Sequence, residues 1–207
     1  MGFFSPRRAA PPPPAPEPQP EPQQHHSPAL RDLLHGLHPE QRPLVLDLGP
    51  AVGGNIERLA ERGARVLVAD LPRGLRAAGV ELPLREPARL ERLLPRLDEP
   101  LAAVLLWDLL NVLAPQAITA LGARLAERCA PGAALLAMIY THKNLPQTLP
   151  RFRIVDHENL AYELDPRPGA AAPRYHEPDL ERMLKAFRVD STSILRNGLQ
   201  EYLLIRR

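Results

Sequence analysis

The stretch VLDLGPAVGGNIERLAERGARVLVAD, Val45–Asp70, decides how this chain is read. PLVLDLG (43–49) is a short apolar run closed by glycine, the pattern of a buried strand. In the following GNIERLAERG, helical spacing turns Ile56, Leu59 and Ala60 inward and Glu57, Arg58, Glu61 and Arg62 to water. Gly63 then stops the helix, and ARVLVAD (64–70) reads as a second buried strand. A strand, a glycine-rich turn, a helix and a strand make a βαβ unit, which requires a parallel sheet. A dinucleotide site wants G-x-G-x-x-G after the first strand. The chain offers Gly49, Ala51 and Gly53 with Gly54 beside them, so that fingerprint is not met. What remains is a turn poor in side chains, with Asp70 at the tip of the next strand. A carboxylate there is placed to accept two hydrogen bonds from ribose hydroxyls. Ligands of open parallel sheets sit beyond the carboxyl ends of the strands, where this turn and Asp70 converge.

Downstream the alternation continues. GVELPL (79–84) reads as a short strand, PARLERLLPRL (87–97) as a helix strained by Pro95, and LAAVLLWD (101–108) as a strong buried strand. A helix is expected over 115–129, with Ile118, Leu121, Leu125, Ala126 and Cys129 on one face. Pro131-Gly132 then turns the chain into a strand at 134–140. Residues 141–177 are polar and irregular, a kind of loop that often carries function. Leu180, Met183, Leu184 and Phe187 mark a helix over 178–187, and Asn197-Gly198 joins two strand-like runs as a hairpin.

Upstream, Ser27-Pro28 is a helix start, followed by Leu30, Leu33, Leu34 and Leu37 at helical spacing. Residues 1–26 read as a disordered Pro/Gln arm, and 27–207 as one domain. Ten of the 26 prolines fall in the first 28 residues. The arm is a solvated spacer by composition, and its polyproline run is able to bind a protein partner.

Composition narrows the function. No apolar run of spanning length exists, and MGFFSPRRAAPPPP holds neither a signal-peptide core nor the myristoylation pattern. The single Cys129 permits no internal disulfide, which fits a cytoplasmic setting. Net charge is +2, and the basic residues alternate with Glu instead of forming a stripe, which argues against nucleic acid. His25 and His26 lack Cys partners, so no metal site is expected.

These residues also carry a resemblance. LDLGPAVGG resembles the first motif of class I S-adenosylmethionine-dependent methyltransferases, and VAD their second. The block from Leu105 to Thr141 is similar to the family's fourth strand, helix and fifth strand, with Ala130-Pro131-Gly132-Ala133 at its usual Lys-Pro-Gly-Gly turn. RYHEPDLERMLKAFRV and the terminal hairpin resemble its late helix and its antiparallel sixth and seventh strands. The likeness covers about residues 43–207. It implies an α/β, doubly wound, mostly parallel seven-stranded sheet with an antiparallel C-terminal hairpin.

The resemblance further implies S-adenosylmethionine as cofactor and methyl transfer to a small-molecule acceptor. Asp47, Gly49, Ala51 and Gly53 would line its methionine and ribose portion, Asp70 would bind the ribose, and Leu71 would pack beside the adenine. Asp108 and Asn111 would border the sulfonium and the acceptor pocket, with Trp107 as a wall. Ala51 stands where the family has a glycine, and Glu86 is the candidate for the adenine amino group. Only 30 residues separate Asp70 from Leu101, short for the standard set of elements. His142, His157, Tyr175 and His176 are the candidate acid–base groups, and no catalytic residue is singled out. Two alternatives stay open: a methyltransferase-like binding or scaffolding domain without catalysis, and NAD binding.

Overall fold

The computed structural model describes residues 23–77, 79, 82–195 and 198–207. Residues 1–22 of the expected arm, Val80 and Glu81 of the expected 79–84 strand, and Asn197 of the hairpin turn lie outside the described residues. The βαβ unit is present as β2 (Leu44–Asp47), α2 (Gly53–Glu61) and β3 (Arg65–Val68). It follows β1 (Gln24–His26) and α1 (Pro28–His35), and leads into α3 (Leu71–Ala77) and α4 (Pro87–Leu93). The chain continues through β4 (Leu101–Trp107), α5 (Pro115–Ala126) and β5 (Cys129–Tyr140). The 140–176 region carries β6 (Asn144–Pro146), β7 (Arg153–Ile154), β8 (Asn159–Ala161) and β9 (Pro168–Ala171). The chain closes with α6 (Glu177–Met183), β10 (Phe187–Ile194) and β11 (Leu199–Arg206).

The central sheet runs β10-β11-β5-β4-β2-β3, with β5, β4, β2 and β3 mutually parallel, β11 antiparallel to β5 and β10 antiparallel to β11. Among the described residues it has six strands, where the sequence leads one to expect seven. The segment between β3 and β4 supplies two short helices and, from the expected 79–84 strand, a single bridge from Leu84 to Leu113. Pro83 beside Leu84 has no N–H to donate to a ladder, so no described strand is added outside β3.

Other differences have equally local causes. The helix expected to Leu97 stops at Leu93, because Leu94 precedes Pro95 and is held extended (φ −74°, ψ 137°). Cys129 was expected on a helix face, but α5 ends at Ala126 and Cys129 opens β5 opposite Leu101. Pro131-Gly132 makes no turn between elements. It forms an irregularity inside β5, with Gly132 at φ +78°. Likewise Phe187 is buried as the first residue of β10, not the last of a helix. The 141–177 segment is not irregular throughout: β6 pairs with β9, and β7 and β8 join β1 in a three-stranded sheet. Order therefore begins upstream of Ser27, since Gln24–His26 pair with Asn159–Ala161.

Helix α1 forms as expected. The Ser27 hydroxyl accepts from the Leu30 N–H (3.2 Å), Pro28 takes the first turn, and Leu30, Leu33, Leu34 and Leu37 are buried. Its anchor lies in β11. There the fully buried Glu201 carboxylate accepts from the Ser27 hydroxyl (2.5 Å) and the Ala29 N–H (3.1 Å). Burial pushes the Glu201 carboxyl up from its ordinary range, against the pull of those two donors.

Candidate functional site

The candidate site forms where β2, β3 and β4 end side by side. Asp47, the last residue of β2, is fully buried. Its Oδ1 accepts from the Gly49 N–H (2.9 Å) and from the Trp107 indole N–H (2.7 Å). Its Oδ2 is equally buried and has no hydrogen-bond partner. Desolvation raises the Asp47 pKa; the indole and Gly49 N–H bonds oppose that rise, the nearby Asp70 charge adds to it, and the neighbouring Asn55 amide weakly opposes it. The turn then climbs to α2, whose N-terminus has no side-chain cap. Ala51 and Gly53 are exposed, and open space lies beside Gly53 and Gly54.

Trp107, at the end of β4, sits at φ +49°, a left-handed backbone that only its surroundings can hold. The Cδ1–Nε1 edge of its ring abuts Gly49, where an added Cβ would fall 2.8 Å from the indole nitrogen, so only glycine fits. The ring stacks on Phe152 (centroids 5.2 Å apart, planes 3° apart). Phe152 meets Tyr162 at 4.8 Å, and Tyr162 stacks on His25 at 4.4 Å. Four rings thus run from the turn after β2 to β1, and Trp107 keeps only 2% of its surface exposed.

Phe152 is positioned by Asn55. The Asn55 amide donates to the Phe152 carbonyl (3.0 Å) and accepts from the Ile154 N–H (2.7 Å). Asn55 is buried, while Ile56 is 38% exposed and Ala60 is exposed, so α2 faces inward through Asn55 and Leu59. The expected inward face was rotated by one residue. Apolar spacing cannot anticipate a polar side chain that pairs with a segment about a hundred residues away. Asn55→Ala leaves two buried backbone groups without partners and is expected to cost about 2–3 kcal/mol. Hydrogen exchange of the Ile154 amide should speed up at least about tenfold. Unchanged Ile154 protection would show that the docking does not depend on Asn55.

Asp70 follows β3 at φ +41°, half-buried, and its Oδ1 accepts from the Arg73 N–H (3.1 Å) at the start of α3. Leu71 has no exposed surface and packs into the core. Asp108 is 4% exposed and its Oδ2 accepts from the Tyr140 hydroxyl (3.0 Å). Burial pushes its carboxyl up to about 7, with the Tyr140 bond pulling the other way. The Asn111 amide donates to the Asp108 and Met138 carbonyls (2.9 and 2.7 Å) and accepts from the Tyr140 N–H (3.0 Å). That set of contacts makes Asn111 a clamp between the end of β4 and β5.

Asp47, Gly49 and Trp107 are therefore in contact, with Asp70 on the adjacent strand end and Asp108, Asn111 and Tyr140 forming a second cluster. The other candidates lie elsewhere. Glu86 is exposed and pairs with Arg89 (2.7 Å), and the Tyr175 hydroxyl donates to the Leu113 carbonyl (2.9 Å). His142 and His157 are exposed, and His176 caps α6 from an exposed position. Among the described residues no group of three or more His, Cys, Asp or Glu is placed to hold a metal, and no helix is long and apolar enough to cross a membrane.

The residues can be tested against an adenosyl ligand. The partnerless Asp47 Oδ2 calls for a donor, the uncapped α2 terminus and the open glycines accept close approach, and Asp70 stands at the tip of the neighbouring strand. The donor set fits. Access to Asp47 and Gly49 requires the Trp107 ring to move.

No family model matches the chain, and no curated protein matches it in sequence. Solved structures do. DesVI of Streptomyces venezuelae is 14% identical, over 86% of this chain and 89% of that one, with a TM-score of 0.52. An S-adenosylmethionine-dependent methyltransferase from Clostridium acetobutylicum is 12% identical over 86% and 91%, with a TM-score of 0.50. SAM-bound CalS10, an amino pentose methyltransferase from Micromonospora echinaspora, is 13% identical over 86% and 89%, also at 0.50. At these identities the likeness establishes the architecture. The fold is that of class I S-adenosylmethionine-dependent methyltransferases.

Proposed function

We propose that the chain binds S-adenosylmethionine on the turn after β2 and transfers its methyl group to a small-molecule acceptor. One observation carries this reading: the buried, partnerless Asp47 Oδ2 lies at a side-chain-poor turn, with Asp70 at the end of the adjacent parallel strand. When bound, the cofactor supplies an electrophilic methyl carbon on a sulfonium, open to direct displacement. Asp70 accepts from the ribose hydroxyls, and its attachment to Arg73 N–H holds it in place. Asp47 faces the amino-acid portion, and Ala51 and Gly53 leave room along α2. Trp107 swings off Gly49 to admit the ligand and then excludes water from the site. Positioning of a reactive nucleophile, rather than a general base, is the main demand on the remaining residues.

A second reading has its own support. The Trp107 ring, hydrogen-bonded to Asp47 and stacked on Phe152, fills the space over Gly49. That favours a methyltransferase-like binding or scaffolding domain without catalysis, with the Pro-rich arm as a partner-binding segment. Trp107 is the only tryptophan, so its fluorescence reports the ring directly. Titration with S-adenosylhomocysteine, followed by calorimetry and by this emission, separates the two. The first reading expects saturable heat, a red-shifted emission as the indole leaves its buried position, and a loss of both in Asp70→Ala. No heat at millimolar ligand would leave the second.

A further inference from the structure

We propose that the cleft between the end of β5 and the paired strands β6 and β9 binds a small apolar carboxylic acid, held by Lys143. The cleft has a volume of about 370 Å³, within the range of small-molecule sites. Leu145, Pro146, Leu164, Pro166 and Pro168 supply apolar walls, and Tyr140 lies at its inner end. Pairing of Asn144 with Ala171 and of Pro146 with Pro168 shapes the cleft before any ligand arrives.

The charges at this cleft are sharply unequal. Arg167 is spent on Asp165, donating through Nε to Oδ1 (2.9 Å) and through Nη2 to Oδ2 (2.8 Å). The Arg167 backbone N–H adds a third bond to the same carboxylate (3.1 Å), and these donors hold Asp165 well below the usual carboxylate range. Lys143 is different. Its carbonyl accepts from the Ala172 N–H (2.9 Å), which fixes the backbone, and its exposed ammonium has no ion-pair partner among the described residues. One uncompensated, compact cation beside an apolar cleft complements a monoanion with an apolar body. A phosphate dianion would call for the paired donors that Arg167 has already committed. Tyr140 links the cleft to the cofactor turn, because its hydroxyl bonds Asp108, the neighbour of Trp107. As an acceptor site the cleft rests on the methyltransferase reading; as a binding site it does not.

The test measures binding of 2-naphthoate, its neutral amide 2-naphthamide and 2-naphthyl phosphate to the full chain by calorimetry, each with and without S-adenosylhomocysteine. The acid should bind at least about tenfold more tightly than the amide, with or without the nucleoside. Lys143→Met should bring the two within about twofold at unchanged amide affinity, while Lys185→Met, on the exposed surface after α6, keeps the preference. Equal binding of acid and amide, tighter binding of the phosphate, a preference that survives Lys143→Met, or binding of none of the three would overturn the proposal. Because the acid–amide comparison is made without the nucleoside as well, failure of S-adenosylhomocysteine to bind leaves it decisive.

Discussion

Trp107→Ala is expected to lower folding stability by about 3–5 kcal/mol and to raise the affinity for S-adenosylhomocysteine. The ring is almost fully buried, stacks on Phe152 and donates the shorter of the two hydrogen bonds to Asp47. Its removal opens a large cavity and takes away the shortest hydrogen bond of the Asp47 carboxylate, while the Gly49 N–H bond stays. Relief of the left-handed backbone offsets little of this, because alanine is strained there too. The same cavity is the space over Gly49, so a ligand no longer has to expel an aromatic ring before binding. Stability and affinity should therefore move in opposite directions. Trp107→Phe keeps an aromatic ring but loses the donor to Asp47, and should sit between the wild type and the alanine variant in both respects. Urea unfolding followed by far-UV circular dichroism, paired with calorimetry, measures the two effects. A folded Trp107→Ala protein with no gain in affinity would show that the ring does not obstruct the cofactor.

Asp108→Asn should flatten the pH dependence of stability by about 4 kcal/mol between pH 4 and pH 8. In the unfolded chain this carboxyl titrates near 3.8, and burial pushes it up to about 7 in the fold. Between those values the native state binds the extra proton, so unfolding releases it and stability falls as pH rises. The favourable contribution is complete below the unfolded pKa and gone above the folded one. Asparagine has no proton to release, yet its carbonyl can still accept from the Tyr140 hydroxyl. Asp47 and Glu201 are also raised by burial, but they titrate alike in both proteins and cancel in the difference. Parallel stability curves for the wild type and Asp108→Asn would mean that Asp108 stays ionised throughout. At neutral pH the result also states how readily the Asp108–Tyr140 pair, adjoining both Trp107 and the proposed acid cleft, accepts a proton.

The architecture was legible wherever it depends on neighbours a few residues apart. An apolar run closed by glycine gave β2 and the apolar run ending at Asp70 gave β3, leucine spacing and a Ser-Pro start gave α1, and two strand-like runs flanking Asn197-Gly198 gave the antiparallel pair of β10 and β11. The motif around Asp47 and Gly49 also marked the end of β2, because a tight strand-to-helix turn demands small residues whatever binds there. The ending of the sheet at β3, the start of β5 at Cys129 and the pairing of Gln24–His26 were not legible, since each depends on partners distant in the chain. The occupant of the site was hidden for the same reason. Trp107 looked like a pocket wall because a strand sequence says which residue ends it, not where the side chain points. That direction follows from a left-handed backbone, an indole bond to Asp47, and a Phe152 brought in by Asn55 from the other half of the chain. Short-range periodicity sets the elements and their order, whereas the closing of the cleft is a matter of long-range packing among side chains that meet only once the chain has folded.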